Sequence, residues 1–344
     1  MQWEITKPSR LLDRHGELIQ KGYAKSPLLQ YRRKNVKNKS RLKEWDYYLI
    51  YNKDHALSLA VGKSLNLFII GLSIVDLNEK KIINKYTVRI VPRKFQLPQD
   101  SKKGRIVYKD KFTRLSFRVD GGIRILLLKK YNLKRTADLD ISLVLYNEPA
   151  DSMVIAVPFC KDKRHFQYSR KIIGMRASGY VRYKNTNYGF SPVNSFAVAY
   201  WSRGVWPYKT TRYWSAAAGK IHGKIFGFNL GYGTDDTSYA TENMLFYDGI
   251  ASKLDHVTFH IPKNAGKNYD YLKPWTITSS DNRIEMVFLP VFDRSLILPI
   301  LPFPLSVKLH QVFGKFTGRA ILDNGTVIYF KEIPGFAQRA KYRW

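Results

Sequence analysis

The chain has 344 residues, 44% of them hydrophobic and 14% aromatic, and a formal net charge of +31 from 58 basic and 27 acidic residues. That much apolar material excludes global disorder and suffices for one large β domain or two of ordinary size. The charge is silent on fold; it either attracts anionic partners such as nucleic acid, anionic lipid or acidic polymers, or reflects a basic proteome and solubility through self-repulsion.

Residues 1–40 read as a basic N-terminal arm. Arg32, Arg33, Lys34, Lys37, Lys39, Arg41 and Lys43 lie within Tyr31–Lys43, which contains no acid. Such a run can meet phosphates or be a solvated linker, and no nucleic-acid motif accompanies it. Strand signals then follow one another: Trp45–Tyr51, His55–Val61, Leu65–Leu77, Ile82–Val91, and a predicted hairpin of Phe112–Val119 and Gly122–Lys129 around Asp120-Gly121. Leu139–Tyr146 and Met153–Phe159 continue the series, and residues 162–193 are basic and rich in tyrosine. Further strands are expected at Gly223–Leu230, Lys253–Ile261, Trp275–Thr278 and Arg283–Leu289, and at Gln311–Leu322 and Thr326–Ile333 around Asn324-Gly325. Leu296–Leu305 is interrupted by Pro299, Pro302 and Pro304 and cannot be a regular helix. Gly335–Trp344 reads as a short helix or a tail. Strands at short spacing with tight turns predict antiparallel barrels, and a barrel of about eight strands can hold one small ligand.

The single cysteine, Cys160, excludes an intrachain disulfide, suits a reducing compartment and reads as a small buried hydrophobe. The first residues lack an apolar signal core, and the longest apolar runs fall short of the roughly 20 residues of a spanning helix. A cytoplasmic protein is expected, with an anionic membrane surface as a possible contact.

Residues 194–249 organise the rest. Aromatic and small residues alternate there, and a few polar groups sit among apolar neighbours: Arg203, Asn229, Glu242 and Asn243. Buried, such groups must be hydrogen-bonded or paired, as a packed network or as the floor of a pocket. Arg203 and Glu242 are the expected ion pair, with Asn229 and Asn243 filling the remaining positions and Trp206 or Trp214 receiving the guanidinium on a ring face. These six are the predicted ligand-binding residues. A carboxylic acid in a dry wall can donate a proton at neutral pH, which makes Glu242, Asp235, Asp236 and Asp281 candidate acids. Pairing with Arg203 would keep Glu242 ionised, Asp235-Asp236 reads as a solvated loop, and Asp281 sits in a hairpin turn. His222 is a further candidate, with a hydrogen-bonded core histidine as the plainer reading. His256 and His260 are too far apart along a strand to chelate easily. No Walker loop, dinucleotide fingerprint, zinc spacing or serine elbow is present, so no cofactor or metal is expected.

Arg203–Tyr208, Trp214-Ser215-Ala216, Gly227–Gly231, Thr241-Glu242-Asn243 and Ser280–Arg283, with Gly22-Tyr23-Ala24 and Lys43–Tyr48 at the amino end, together resemble the bacterial family known as domain of unknown function 2804. That family is similar to carotenoid hydratases and related AttH-like proteins of tandem lipocalin shape. The resemblance implies an all-β fold of two lipocalin-like barrels, about 41–193 and 194–344. It also implies a small hydrophobic ligand, lipid-like or isoprenoid-like, in the C-terminal barrel. Two alternatives stand beside this: a hydratase, cyclase or isomerase working by proton transfer, and a basic protein docking on anionic lipid or nucleic acid.

Overall fold

The computed structural model describes residues 2–343 except Arg93, Cys160, Lys161, Thr234, Asp235 and residues 301–304; the readings of Cys160 and Asp235 lie outside the described residues. In chain order the strands are β1 (Ser9–Arg10), β2 (Gly22–Ala24), β3 (Leu29–Gln30), β4 (Leu42–Tyr51), β5 (His55–Ser64), β6 (Leu67–Asp76), β7 (Lys81–Ile90), β8 (Gly104–Lys109), β9 (Thr113–Asp120), β10 (Ile123–Tyr131), β11 (Ala137–Tyr146) and β12 (Met153–Phe159). They continue with β13 (Asp162–Tyr183), β14 (Thr186–Phe190), β15 (Phe196–Val205), β16 (Lys209–Ile221), β17 (Lys224–Tyr232), β18 (Met244–Tyr247), β19 (Ile250–Lys253), β20 (Val257–His260), β21 (Trp275–Ser279), β22 (Ile284–Ile300), β23 (Leu305–Ile321) and β24 (Val327–Arg343).

Two antiparallel sheets dominate. The first runs β7-β6-β5-β4-β15-β13-β11-β10-β9-β8, with β12, β14 and β2 added alongside; the second runs β19-β18-β17-β16-β24-β23-β22-β21-β20. Each curls around its own apolar core, giving two lipocalin-like barrels in tandem. No helix among the described residues is long and apolar enough to cross a membrane.

Side-chain alternation assigns every strand two faces. On β4, Tyr48 and Ile50 enter the first barrel's core, while Leu49 and Tyr51 face a separate cluster between the sheets. On β16, Ala217 enters the second barrel's core, while Trp214, Ala216 and Ala218 face the same intervening cluster. Strands with both faces covered read as continuous apolar runs, and all ten residues of β15 are buried.

Four expectations are corrected. Gly335–Trp344 is neither helix nor tail: residues to Arg343 complete β24, which pairs with both β16 and β23. The amino-terminal 40 residues are not a free arm, because Leu11, Leu12, Leu29, Tyr31 and Val36 are buried in a core of their own against β12, β13 and β15. Phe196–Val205, assigned from sequence to the second barrel, lies in the first sheet between β4 and β13. The turn after β9 is Gly121-Gly122, both at positive φ, rather than Asp120-Gly121.

β13 is the spine of the first sheet. It bends at Gly174, where φ is +85° and the register with β15 shifts. A Cβ at Gly174 would stand 2.9 Å from Ile225 of the second sheet, so glycine permits the close approach of the barrels.

Candidate functional site

The predicted constellation splits in two. Arg203 does not meet Glu242. Its guanidinium donates to Asp46 at 2.8 Å and to the carbonyls of Trp45, Ser202 and Pro98, and it stacks on Trp201 rather than on Trp206 or Trp214. β15 lies beside β4 in the first sheet, which is why the nearest acids come from Glu44 and Asp46. Burial pushes the Asp46 carboxyl above its usual value, against the pull of Arg203.

Glu242 finds other partners. Lys171 on β13 donates to it at 2.7 Å, and Arg212 on β16 donates to both of its oxygens at 2.9 and 2.7 Å. The carboxylate thus pins the first sheet to the second. All three side chains are buried, and the ammonium of Lys171 also lies 4.7 Å from the Trp214 ring centre. Burial alone would raise the Glu242 carboxyl, but the two cations and their hydrogen bonds bring it down to about 2. Glu242 is therefore an ionised strut, not an acid.

Trp214, Asn229, Glu242 and Asn243 do come together. The Trp214 indole donates to Asn229 Oδ1 at 2.7 Å, and Asn229 Nδ2 donates to the Glu242 carbonyl at 2.6 Å. Asn243 accepts from the Gly231 amide and donates to the Asp255 carbonyl, both at 2.7 Å. A Cβ on Gly231 would lie 2.1 Å from Glu242 Oε1, so glycine there makes room for the carboxylate. Each amide is spent on its neighbours, which makes this group a closed polar network.

The remaining candidates lie elsewhere. His222 is an exposed turn residue at φ +48°, not a core histidine. Asp236 holds a turn by accepting from the amide and hydroxyl of Ser238. Asp281 is partly buried, which works against ionisation, yet bonds from Ser279 and the amides of Asp255 and Arg283 keep its carboxyl below the usual value. It too is a turn-forming residue.

Phe226, Phe228, Trp275, Phe288 and Phe316 fill the core of the second barrel. A cavity of about 200 Å³ lies instead between the sheets. Strand register explains it. Across β15, β4, β5, β6 and β7, Tyr200, Tyr47, Ala60, Gly71 and Tyr86 are successive cross-strand partners. Two small residues flanked by tyrosines make a depression in the first sheet. Across β22, β23, β24 and β16, Arg294, Gln311, Gln338 and Trp214 form the facing row. Ser58 joins the floor, Leu309 and Tyr342 the wall, and the half-buried Trp206, Thr210, Leu296 and Val307 the margin.

Two of the six predicted ligand-binding residues, Trp206 and Trp214, border this cavity; Arg203, Asn229, Glu242 and Asn243 do not. Sequence reasoning missed Arg294, Gln311 and Gln338. Each had a signal: Arg294 lies between Phe292 and Leu296, Gln311 between Leu309 and Phe313, and Gln338 between Phe336 and Ala340, polar residues on otherwise apolar strand faces. No described residue bordering the cavity carries a carboxyl group. Burial pushes the Tyr342 phenol up to about 12, so it stays protonated at neutral pH.

A second, open groove of about 880 Å³ follows the amino-terminal segment. Arg32, Lys34, Lys39 and Lys102 edge it, and Tyr31, Tyr168 and Trp201 form its floor. Arg33 is already engaged by Glu44 and the Leu97 carbonyl.

Among solved structures, the fold is similar to that of a putative AttH from Nitrosomonas europaea, at a TM-score of 0.56 and 10% identity, covering 88% of this chain and 93% of that one. It is also similar to CghA, at a TM-score of 0.58 and 11% identity over 89% of this chain and 88% of the other. At such identities the likeness establishes the fold alone. Sequence comparison with curated proteins gives no match. The profile described as "Domain of unknown function (DUF2804)" matches residues 2–344, and the chain belongs to that family.

Proposed function

We propose that this protein binds one small, mainly apolar molecule in the cavity between its two sheets. The observation that carries this reading is the opening itself, left where Ser58, Ala60 and Gly71 face the second sheet between Tyr47, Tyr86, Tyr200 and Trp214. Such a mostly carbon-lined space with a few placed polar groups is what small-ligand sites look like. Binding is favoured over proton-transfer catalysis because no carboxyl group faces the space among the described residues, and Glu242 is held ionised outside it. The test is extraction and mass spectrometry of ligand from purified wild type and from Ala60→Phe, which fills the depression. Wild type should yield a bound apolar compound that the variant lacks while melting cooperatively. Equal recovery from both would overturn the assignment of the site.

The basic groove supports a second reading, contact with an anionic membrane surface from which such a molecule could be drawn. Retention on phosphatidylserine vesicles should fall steeply between about 50 and about 200 mM salt and be weakened by Arg32→Gln with Lys34→Gln. No retention, or tighter retention by single-stranded nucleic acid, would count against it.

A further inference from the structure

Arg294 is a buried cation with no acid. It is 6% exposed, yet no Asp or Glu lies within ion-pairing distance of it among the described residues. Its neighbour Asp293 belongs to the other face of β22, where it meets His310 at 2.8 Å. Arg294 instead uses one nitrogen on the Gln311 side-chain carbonyl at 2.7 Å and another on the Tyr86 hydroxyl at 3.3 Å. Its Nε is buried and has no hydrogen-bond partner. Arg212, which also lines the cavity, shares Glu242 with the buried Lys171. Of the two cations among the described residues that line the cavity, Arg212 is paired with Glu242 and Arg294 has no carboxylate.

A buried charge without a counter-charge is costly, and a guanidinium is shaped to receive a carboxylate through two parallel bonds. We infer that the molecule held between the sheets is an acid, an apolar chain or ring system with one carboxylate, and that Arg294 receives that group. Gln311 and Tyr86 orient the guanidinium. Gln311 is fixed in turn by donating to the Tyr47 hydroxyl at 3.0 Å and to Gln338 at 3.2 Å. The apolar part lies along Ala60, Gly71 and Leu309. A cavity of roughly 150 Å³ holds benzene, so about 200 Å³ takes a molecule of about eight to ten non-hydrogen atoms.

This inference rests on the proposed inter-sheet site, and a matched set of probes separates the two. Octanoate, 1-octanol and octylamine are titrated by calorimetry in about 0.3 M salt, which screens the basic exterior. Octanoate should bind at least about tenfold more tightly than 1-octanol, and octylamine least of all. Arg294→Gln should remove most of the octanoate preference and leave 1-octanol affinity within about twofold, while Arg294→Lys keeps part of the preference. Equal affinity for octanoate and 1-octanol in the wild type, which needs no variant to fold, overturns acid recognition and leaves the cavity reading standing. Failure of all three probes overturns both.

Discussion

Replacing Glu242 by glutamine tests the idea that one carboxylate holds the two barrels together. The substitution keeps the shape and removes the charge. Lys171 and Arg212, both buried, would then face each other across a neutral amide. Breaking a buried ion pair by deleting one partner costs about 3–5 kcal/mol, because the surviving charge is left uncompensated. The depressed carboxyl agrees: a fall from 4.5 to about 2 on folding corresponds to about 3 kcal/mol at neutral pH. Urea unfolding at pH 7 should show a loss of that order in Glu242→Gln. Because the folded value lies below the unfolded one, the contribution is present above pH 4.5 and disappears as pH falls toward 2. The gap between wild type and variant should therefore close over that window. Adding Lys171→Met should recover part of the loss, since it removes one of the two cations that Glu242 neutralises. A loss below about 1 kcal/mol at pH 7, or a gap independent of pH, would refute the reasoning.

Other substitutions probe the same scaffold. Gly231→Ala drives a methyl group onto Glu242 Oε1, so it should destabilise by several kcal/mol, and its effect should not add to that of Glu242→Gln; additive losses in denaturation would contradict this. Asn229→Ala leaves the Trp214 indole buried without an acceptor and should cost about 1–3 kcal/mol, less in a Trp214→Phe background, as a double-mutant cycle would show. His222→Asn should change stability by less than about 0.5 kcal/mol and leave ligand recovery intact, because the position is an exposed turn at positive φ that asparagine tolerates.

Much of the architecture was legible because the turns and runs of β-formers are local signals. Strands such as Leu139–Tyr146, with Leu139, Ile141, Leu143 and Leu145 on the core face, declare themselves by alternation. β15 and β16 do not, because both their faces are covered and no polar face marks the period. That Asn229 and Asn243 must be satisfied was legible, since buried amides need partners; that the Trp214 indole serves Asn229 was not. Which acid meets which base was not legible. Arg203 and Glu242 are close in sequence, but β15 stays in the first sheet and Glu242 follows β17 in the second, so each takes partners from strands far away along the chain. The cavity was hidden for the same reason. It depends on Ala60 and Gly71 falling opposite each other in register, and on Arg294, Gln311 and Gln338 lining up across three long strands. Of these strands, the last nine residues of β24 carry no alternation that separates a strand from a short helix or a tail.

The most direct measurement is a crystal structure of the protein soaked in 8-bromo-1-octanol, with the bromine located by its anomalous signal. A single peak between the sheets, in contact with Ala60, Gly71 or Leu309, is the expected result. A peak inside either barrel core, or none at saturating probe, would contradict the account.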